Sequence, residues 1–200
     1  MSGEPLRAEG LEIVDGDGRV RARLAGGEEG RVALELLDDE GRVRARLALG
    51  AEGAARLELR DASGRPRVLL SAREDTSLEL RDPAGRSRVA LGEWSDDSAS
   101  LRVADADGVR RVSAGSWADG SASLEIWDHE RRRRLSALDR PDGPAGVHVW
   151  DAAGHLRALL AVGPDPDREA SVEFWDADGD YRAGFGVWPD GGAGPEVPAD

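Results

Sequence analysis

The sequence predicts an all-β protein of eight tandem two-stranded repeats, each near 23 residues, forming an antiparallel meander rolled into a sandwich-like or barrel-like body. Three observations predict it. A phrase of the form Leu-Glu-Leu-Arg-Asp, followed by a glycine turn and an arginine, begins at Leu11, Leu34, Leu57, Leu78, Leu101, Leu124, Val147 and Val172. Apolar residues alternate with polar ones on both sides of that turn, which is the period of a strand with one buried face. Self-similarity at a fixed spacing marks a unit that buries its apolar side only against its neighbours.

With the first residue of each copy counted as zero, positions 0 and 2 are apolar in all eight copies, as in Leu57 with Leu59 and Val172 with Phe174. They predict the first strand. Position 4 is always aspartate, from Asp15 to Asp176, and glycine follows three residues later in seven copies. Aspartate accepts backbone N–H bonds and glycine takes positive φ, so Asp-x-x-Gly between two alternating runs predicts a hairpin loop. Arg131 replaces the glycine in the sixth copy, which predicts a distorted loop there. The second strand carries apolar residues at positions 11 and 13, and arginine at position 10 without exception, from Arg21 to Arg182. A looser turn then leads to the next copy, and length changes fall in that turn at Arg73–Ser77 and Gly163–Ala170. Residues 1–10 and the glycine- and proline-rich tail 189–200 read as disordered ends around a single repeat domain, 11–188, with no internal boundary.

A parallel β-solenoid also fits the periodicity and would bury two walls against each other, but it stacks Arg19, Arg21 and Arg23 over Arg42, Arg44 and Arg46. Like charges opposite one another destabilise a sheet. In the meander a four-residue loop pairs position 1 with position 10, giving Glu12–Arg21, Glu35–Arg44, Glu58–Arg67, Glu79–Arg88, Glu125–Arg134 and Glu173–Arg182. One register that satisfies so many opposite-charge pairs favours the meander.

The stretch Val172-Glu-Phe-Trp-Asp-Ala-Asp-Gly-Asp-Tyr-Arg182 and its counterpart from Leu78 to Arg88 are similar to the tyrosine-aspartate (YD) repeats of Rhs and teneurin proteins. That resemblance implies antiparallel hairpins spiralling into a hollow β-shell around a cargo. The chain also resembles bacterial proteins made of tandem Asp-x-x-Gly-Arg/Lys-x-Arg β-hairpin repeats, a family to which no activity is attached.

A net charge of −13 disfavours nucleic-acid backbones and anionic membrane surfaces as partners. Cysteine is absent, which excludes disulfides and thiolate metal sites. With no signal-like or membrane-spanning apolar run, a cytoplasmic location is the default expectation. No catalytic constellation emerges, and no cofactor or metal site is expected: His129, His148 and His155 occupy positions filled by ordinary residues in other copies, and paired aspartates such as Asp105 and Asp107 read as turn chemistry ahead of calcium ligation. Tryptophan is the uneven residue. Trp127, Trp150 and Trp175 share position 3, on the side away from the leucines and on alternate strands, so their rings should recur at about 9.5 Å. Such a row could stack on a glycan, whereas the plainer expectation is that arginines cover the rings by cation–π contact. The sequence therefore predicts a non-catalytic scaffold that binds protein or itself, with a glycan-binding module as the alternative.

Overall fold

In a computed structural model of the chain, residues 8–26, 31–50, 53–165 and 168–196 are described. Every extended element among the described residues is a β-strand, and the strands fall in two compact units, one ending at Trp94 and one beginning at Ser95, where the sequence showed no boundary. The first unit holds β1 (Gly10–Val14), β2 (Val20–Gly26), β3 (Val32–Leu37), β4 (Val43–Leu49), β5 (Ala55–Arg60), β6 (Pro66–Ala72), β7 (Thr76–Arg81) and β8 (Ser87–Glu93). The second holds β9 (Ala99–Ala104), β10 (Arg110–Ser116), β11 (Ala122–Trp127), β12 (Arg133–Asp139), β13 (Ala145–Trp150), β14 (Leu156–Asp165), β15 (Arg168–Trp175), β16 (Tyr181–Val187) and β17 (Ala193–Glu196). β17 pairs with β16, so part of the segment expected to be a disordered tail is a strand; residues 1–7 and 197–200 lie outside the described residues.

Within each unit every strand pairs antiparallel with the next, which is the meander and rules out the parallel solenoid. The rolled, barrel-like closure is not found: among the described residues no ladder joins β1 to β8 or β9 to β17.

The hairpin loop explains the repeat. Asp15 N–H donates to the Arg19 carbonyl and Gly18 N–H to the Asp15 carbonyl, and Gly18 sits at φ 80°. The Asp15 carboxylate accepts the N–H groups of Asp17 and Arg19 at 3.0 Å each, and the same pair of side-chain bonds is made by Asp38, Asp61, Asp82, Asp105, Asp128, Asp151 and Asp176. A residue without a short acceptor side chain would leave those N–H groups unanswered. In three places the turn between copies uses the same closure: Trp117 N–H donates to Ser121 O, Trp188 N–H to Gly192 O and Gly50 N–H to Ala54 O, with Gly120, Gly191 and Gly53 at positive φ. It is as tight as the first turn.

The invariant arginine at position 10 is a β-bulge. Register shifts between Ile13 and Val14, Leu36 and Leu37, Leu59 and Arg60, and their equivalents, so that position 2 faces position 11, position 3 faces position 9, and the arginine between is skipped. A bulge leaves one residue unpaired and redirects its side chain. Here the guanidinium reaches its own copy's loop aspartate, as in Arg44–Asp38 (3.6 Å), Arg111–Asp105 (3.5 Å) and Arg157–Asp151 (3.3 Å). Its Nε also donates to the carbonyl at position 3 of the next copy: Arg44 to Arg60 O, Arg67 to Arg81 O, Arg111 to Trp127 O, Arg134 to Trp150 O and Arg157 to Trp175 O, at 2.7–3.1 Å. One residue thus ties a loop to the adjoining repeat.

The bulge and a five-residue loop correct the expected charge register. Position 1 faces position 12, so Glu58 lies opposite Leu69, Glu79 opposite Ala90, Glu125 opposite Ser136 and Glu173 opposite Gly184. Within the hairpins only Glu12 and Glu35 face arginines, Arg23 and Arg46. The opposite-charge pairs that favoured the meander from sequence are therefore not cross-strand neighbours, although the meander stands.

The loop expected to distort at Arg131 keeps its shape. Asp128 N–H still bonds Arg132 O, Arg131 N–H bonds Asp128 O, and Arg131 itself takes φ 65°. An L-residue there costs about 1–2 kcal/mol. Arg131→Gly is expected to raise the stability of the chain by about 1 kcal/mol in denaturant unfolding; an unchanged or lower midpoint contradicts the turn assignment.

The loop carboxylates also set an acid limit. The N–H and guanidinium of Arg42 hold Asp38 down from 3.8 to about 2 against partial burial. Asp128 is likewise held at about 2, its desolvation outweighed by the N–H and guanidinium of Arg132. Folded carboxylates below their unfolded value contribute stability at pH above that value and lose it as pH falls towards the folded one. The strand circular-dichroism signal is therefore expected to hold at about pH 5 and to collapse between about pH 4 and 2.

Candidate interaction face

Alternation gives each unit two faces, and the corrected register shows what lies on them. On one face, positions 0 and 13 of successive strands stand directly opposite one another. In the first unit this gives an unbroken row, Leu11–Leu24–Leu34–Leu47–Leu57–Leu70–Leu78–Leu91, one leucine from every strand. The neighbouring row runs from Ile13 through Leu36, Leu59 and Leu80, with Ala22, Ala45, Val68 and Val89 between. In the second unit the corresponding row alternates in size: Leu101, Ala114, Leu124, Ala137, Val147, Leu160, Val172, Phe185. The small residues leave an apolar groove of about 470 Å³ bordered by Leu124, Val147, Leu160 and Val162.

This apolar face is the exposed one. Leu47 is 51% exposed, Leu160 47% and Phe185 52%, and more than a dozen other large apolar residues are likewise exposed. The opposite face contains the sheltered residues: Ser136 at 1%, Leu69 at 4%, Glu58 at 7% and Trp127 at 8%. Long side chains explain the inversion, because arginine stems and aromatic rings lie along the polar side and cover what is beneath them.

The predicted site residues lie on that polar side. Trp127, Trp150 and Trp175 end β11, β13 and β15, on alternate strands as the repeat implied. They do not form bare platforms. The guanidinium of Arg110 stands 4.0 Å over the Trp127 ring, and that of Arg133 4.8 Å over Trp150. His148 stacks on Trp150 at 5.5 Å, and Tyr181 meets Trp175 edge-on at 5.9 Å. Burial, together with the Arg133 and Arg140 charges, pushes the His148 imidazole below its ordinary pKa. Among the described residues no group of three or more His, Asp or Glu side chains is placed to hold a metal ion. Glu125, Ser136 and His148 are successive cross-strand neighbours, but the Ser136 hydroxyl and His148 Nδ1 are both buried without a hydrogen-bond partner. The order Glu, Ser, His therefore makes no relay.

No protein-family model matches the chain, and no curated protein matches it. No helix among the described residues is long and apolar enough to cross a membrane.

The leucine row was visible in the sequence as apolar positions 0 and 13, but their direct opposition depends on the bulge. Arg110→Ala is expected to uncover Trp127, shifting the emission to the red and raising acrylamide quenching relative to the parent, and to cost about 0.5–1 kcal/mol of stability. Unchanged quenching would mean that another group shields the ring.

Proposed function

We infer that the protein is a non-catalytic β-repeat scaffold that associates with a second copy of itself through the leucine face. The observation that carries this reading is the unbroken row of eight leucines in the first unit, six of them exposed and Leu57 and Leu78 half-buried. Monomers rarely leave more than about 300–600 Å² of contiguous apolar surface open. Eight strands at about 4.8 Å spacing and about 20 Å length give that face an area of roughly 800 Å². That matches the contribution of one partner to a standard stable interface, about 800 Å². The rows bear no charge, so a charged partner finds nothing to pair with, while an identical row offers the same knobs at the same strand spacing. Two such faces pack about 10 Å apart as a sheet sandwich, and a two-fold axis closes the assembly.

The glycan reading has less behind it, since Arg110 and Arg133 occupy the ring faces on which a sugar would stack.

Sedimentation equilibrium of the full chain over a micromolar to millimolar range tests the reading. A dimer is expected for the parent and a monomer of unchanged circular dichroism for Leu47→Glu/Leu70→Glu, because both side chains are exposed in the single chain and the substitutions remove only the interface. A parent that stays monomeric throughout, or a variant that stays dimeric, overturns it.

A further inference from the structure

The polar face of the first unit departs from the repeat in one place. At position 12 the later copies carry Leu69, Ala90, Ser113, Ser136, Leu159 and Gly184, but the first two carry Arg23 and Arg46. At the position preceding each copy, where Ser77, Ser100 and Ser123 are found later, the third copy has Arg56. The cross-strand register gathers these exceptions. One row runs Glu12–Arg23–Glu35–Arg46–Glu58 across β1 to β5, and the next runs Ala25–Ala33–Ala48–Arg56 across β2 to β5. Three alanines in a line form a floor with no side chain tall enough to fill it, and the arginines stand beside it.

The result is a groove of about 940 Å³ on β2–β6. Arg23, Arg46 and Arg56 line it, and Arg31 and Arg73 stand at its rim; two carboxylates, Glu35 and Glu58, lie within. Both carboxylates are committed. Glu35 is held by Arg23 at 2.5 Å and Arg46 at 3.3 Å, and Glu58 by Arg56 at 3.0 Å and by Arg60 at 2.7 Å. Arg46 Nε is buried and lacks a hydrogen-bond acceptor, its approach to Glu35 being out of line. Arg23, Arg46, Arg56 and Arg73 against Glu35 and Glu58 leave guanidinium in excess of carboxylate here, on a chain whose net charge is −13. The turn chemistry does not call for these arginines, since the other copies close the same loops without them.

We propose that this groove binds a small anion carrying several phosphate groups. Guanidinium forks match phosphate oxygens in bidentate geometry, and bonds between ionised partners are about twice as strong as neutral ones. Arg23 and Arg46 lie two strands apart, about 9.5 Å along the sheet, with Arg56 one strand further. The Arg23 and Arg46 side chains nevertheless converge on Glu35, while Arg56 stands beside Glu58; two guanidinium clusters on neighbouring strands suit an anion with more than one charged group better than a single phosphate. The site lies on the opposite face from the leucine row and does not depend on self-association.

Calorimetric titration of the full chain with inorganic tripolyphosphate at low ionic strength, with sulfate at matched ionic strength as the comparison, tests the proposal. Saturable binding at one site per chain is expected, stronger for tripolyphosphate than for sulfate. Arg23→Ser/Arg46→Ser is expected to weaken it by about tenfold or more, or about 1.4 kcal/mol. Because that pair also supports Glu35, Arg73→Ser at the rim provides a second variant, with a weakening of several-fold expected. Arg133→Ser, which removes one charge in the other unit, should leave the affinity unchanged. Absence of saturable heat in the parent, equal affinity in the rim variant, or equal weakening by Arg133→Ser would each overturn the proposal.

Discussion

The bulged arginine at position 10 is the contact on which the rest of the structure depends. The loop aspartate shapes its own hairpin through two N–H bonds, and that effect is local. The arginine carries it across: Arg44 lies 3.6 Å from the Asp38 carboxylate and donates to the Arg60 carbonyl at the end of the next hairpin's first strand. Exposed ion pairs alone contribute little. A charge-assisted bond to a backbone carbonyl repeated in successive copies does more, because each instance fixes the same register between neighbouring hairpins, and a repeat array is stabilised mainly by its nearest-neighbour interfaces.

That register decides the chemistry of both faces. Skipping one residue places leucine opposite leucine along the whole of the first unit, so the apolar side becomes a flat, uniform row. On the other side the same register sets Arg23, Glu35 and Arg46 in line and leaves three alanines beside them. The polar face covers itself with its own long side chains, as Arg110 does over Trp127. Leucine side chains are too short to do the same for the apolar face, which stands exposed.

Local chemistry was legible in the sequence and counting was not. Asp-x-x-Gly announced the hairpin because the aspartate's acceptor and the glycine's positive φ act within five residues, and the meander followed from it. The charge pairs did not survive, since a bulge adds a residue that no composition or periodicity reveals; Glu58 faces Leu69 where Arg67 was expected. Arg131 was expected to distort its loop, yet the loop's backbone bonds hold an arginine at φ 65°. The strand Ala193–Glu196 was hidden by glycine and proline, which signal a loop unless a neighbouring strand is present to pair with. Of the candidate site, the three tryptophans lie on alternate strands as the repeat implied, but the arginines over Trp127 and Trp150 come from position 9 of the preceding copy and could not be assigned without the register. The arginine groove and the leucine row were both present in the sequence as residue types, and their grouping emerged only once cross-strand neighbours were known.

The chain has no cysteine, so one introduced at Leu47 can carry a single spin label without background. If the leucine face is covered by a second copy, paramagnetic resonance of the labelled Leu47→Cys chain will show a restrained nitroxide with dipolar broadening that vanishes on dilution with unlabelled protein, while a label at Ser77→Cys on the polar face stays uncoupled. A freely tumbling, uncoupled label at Leu47→Cys would contradict the reading of that face as the protein's association surface.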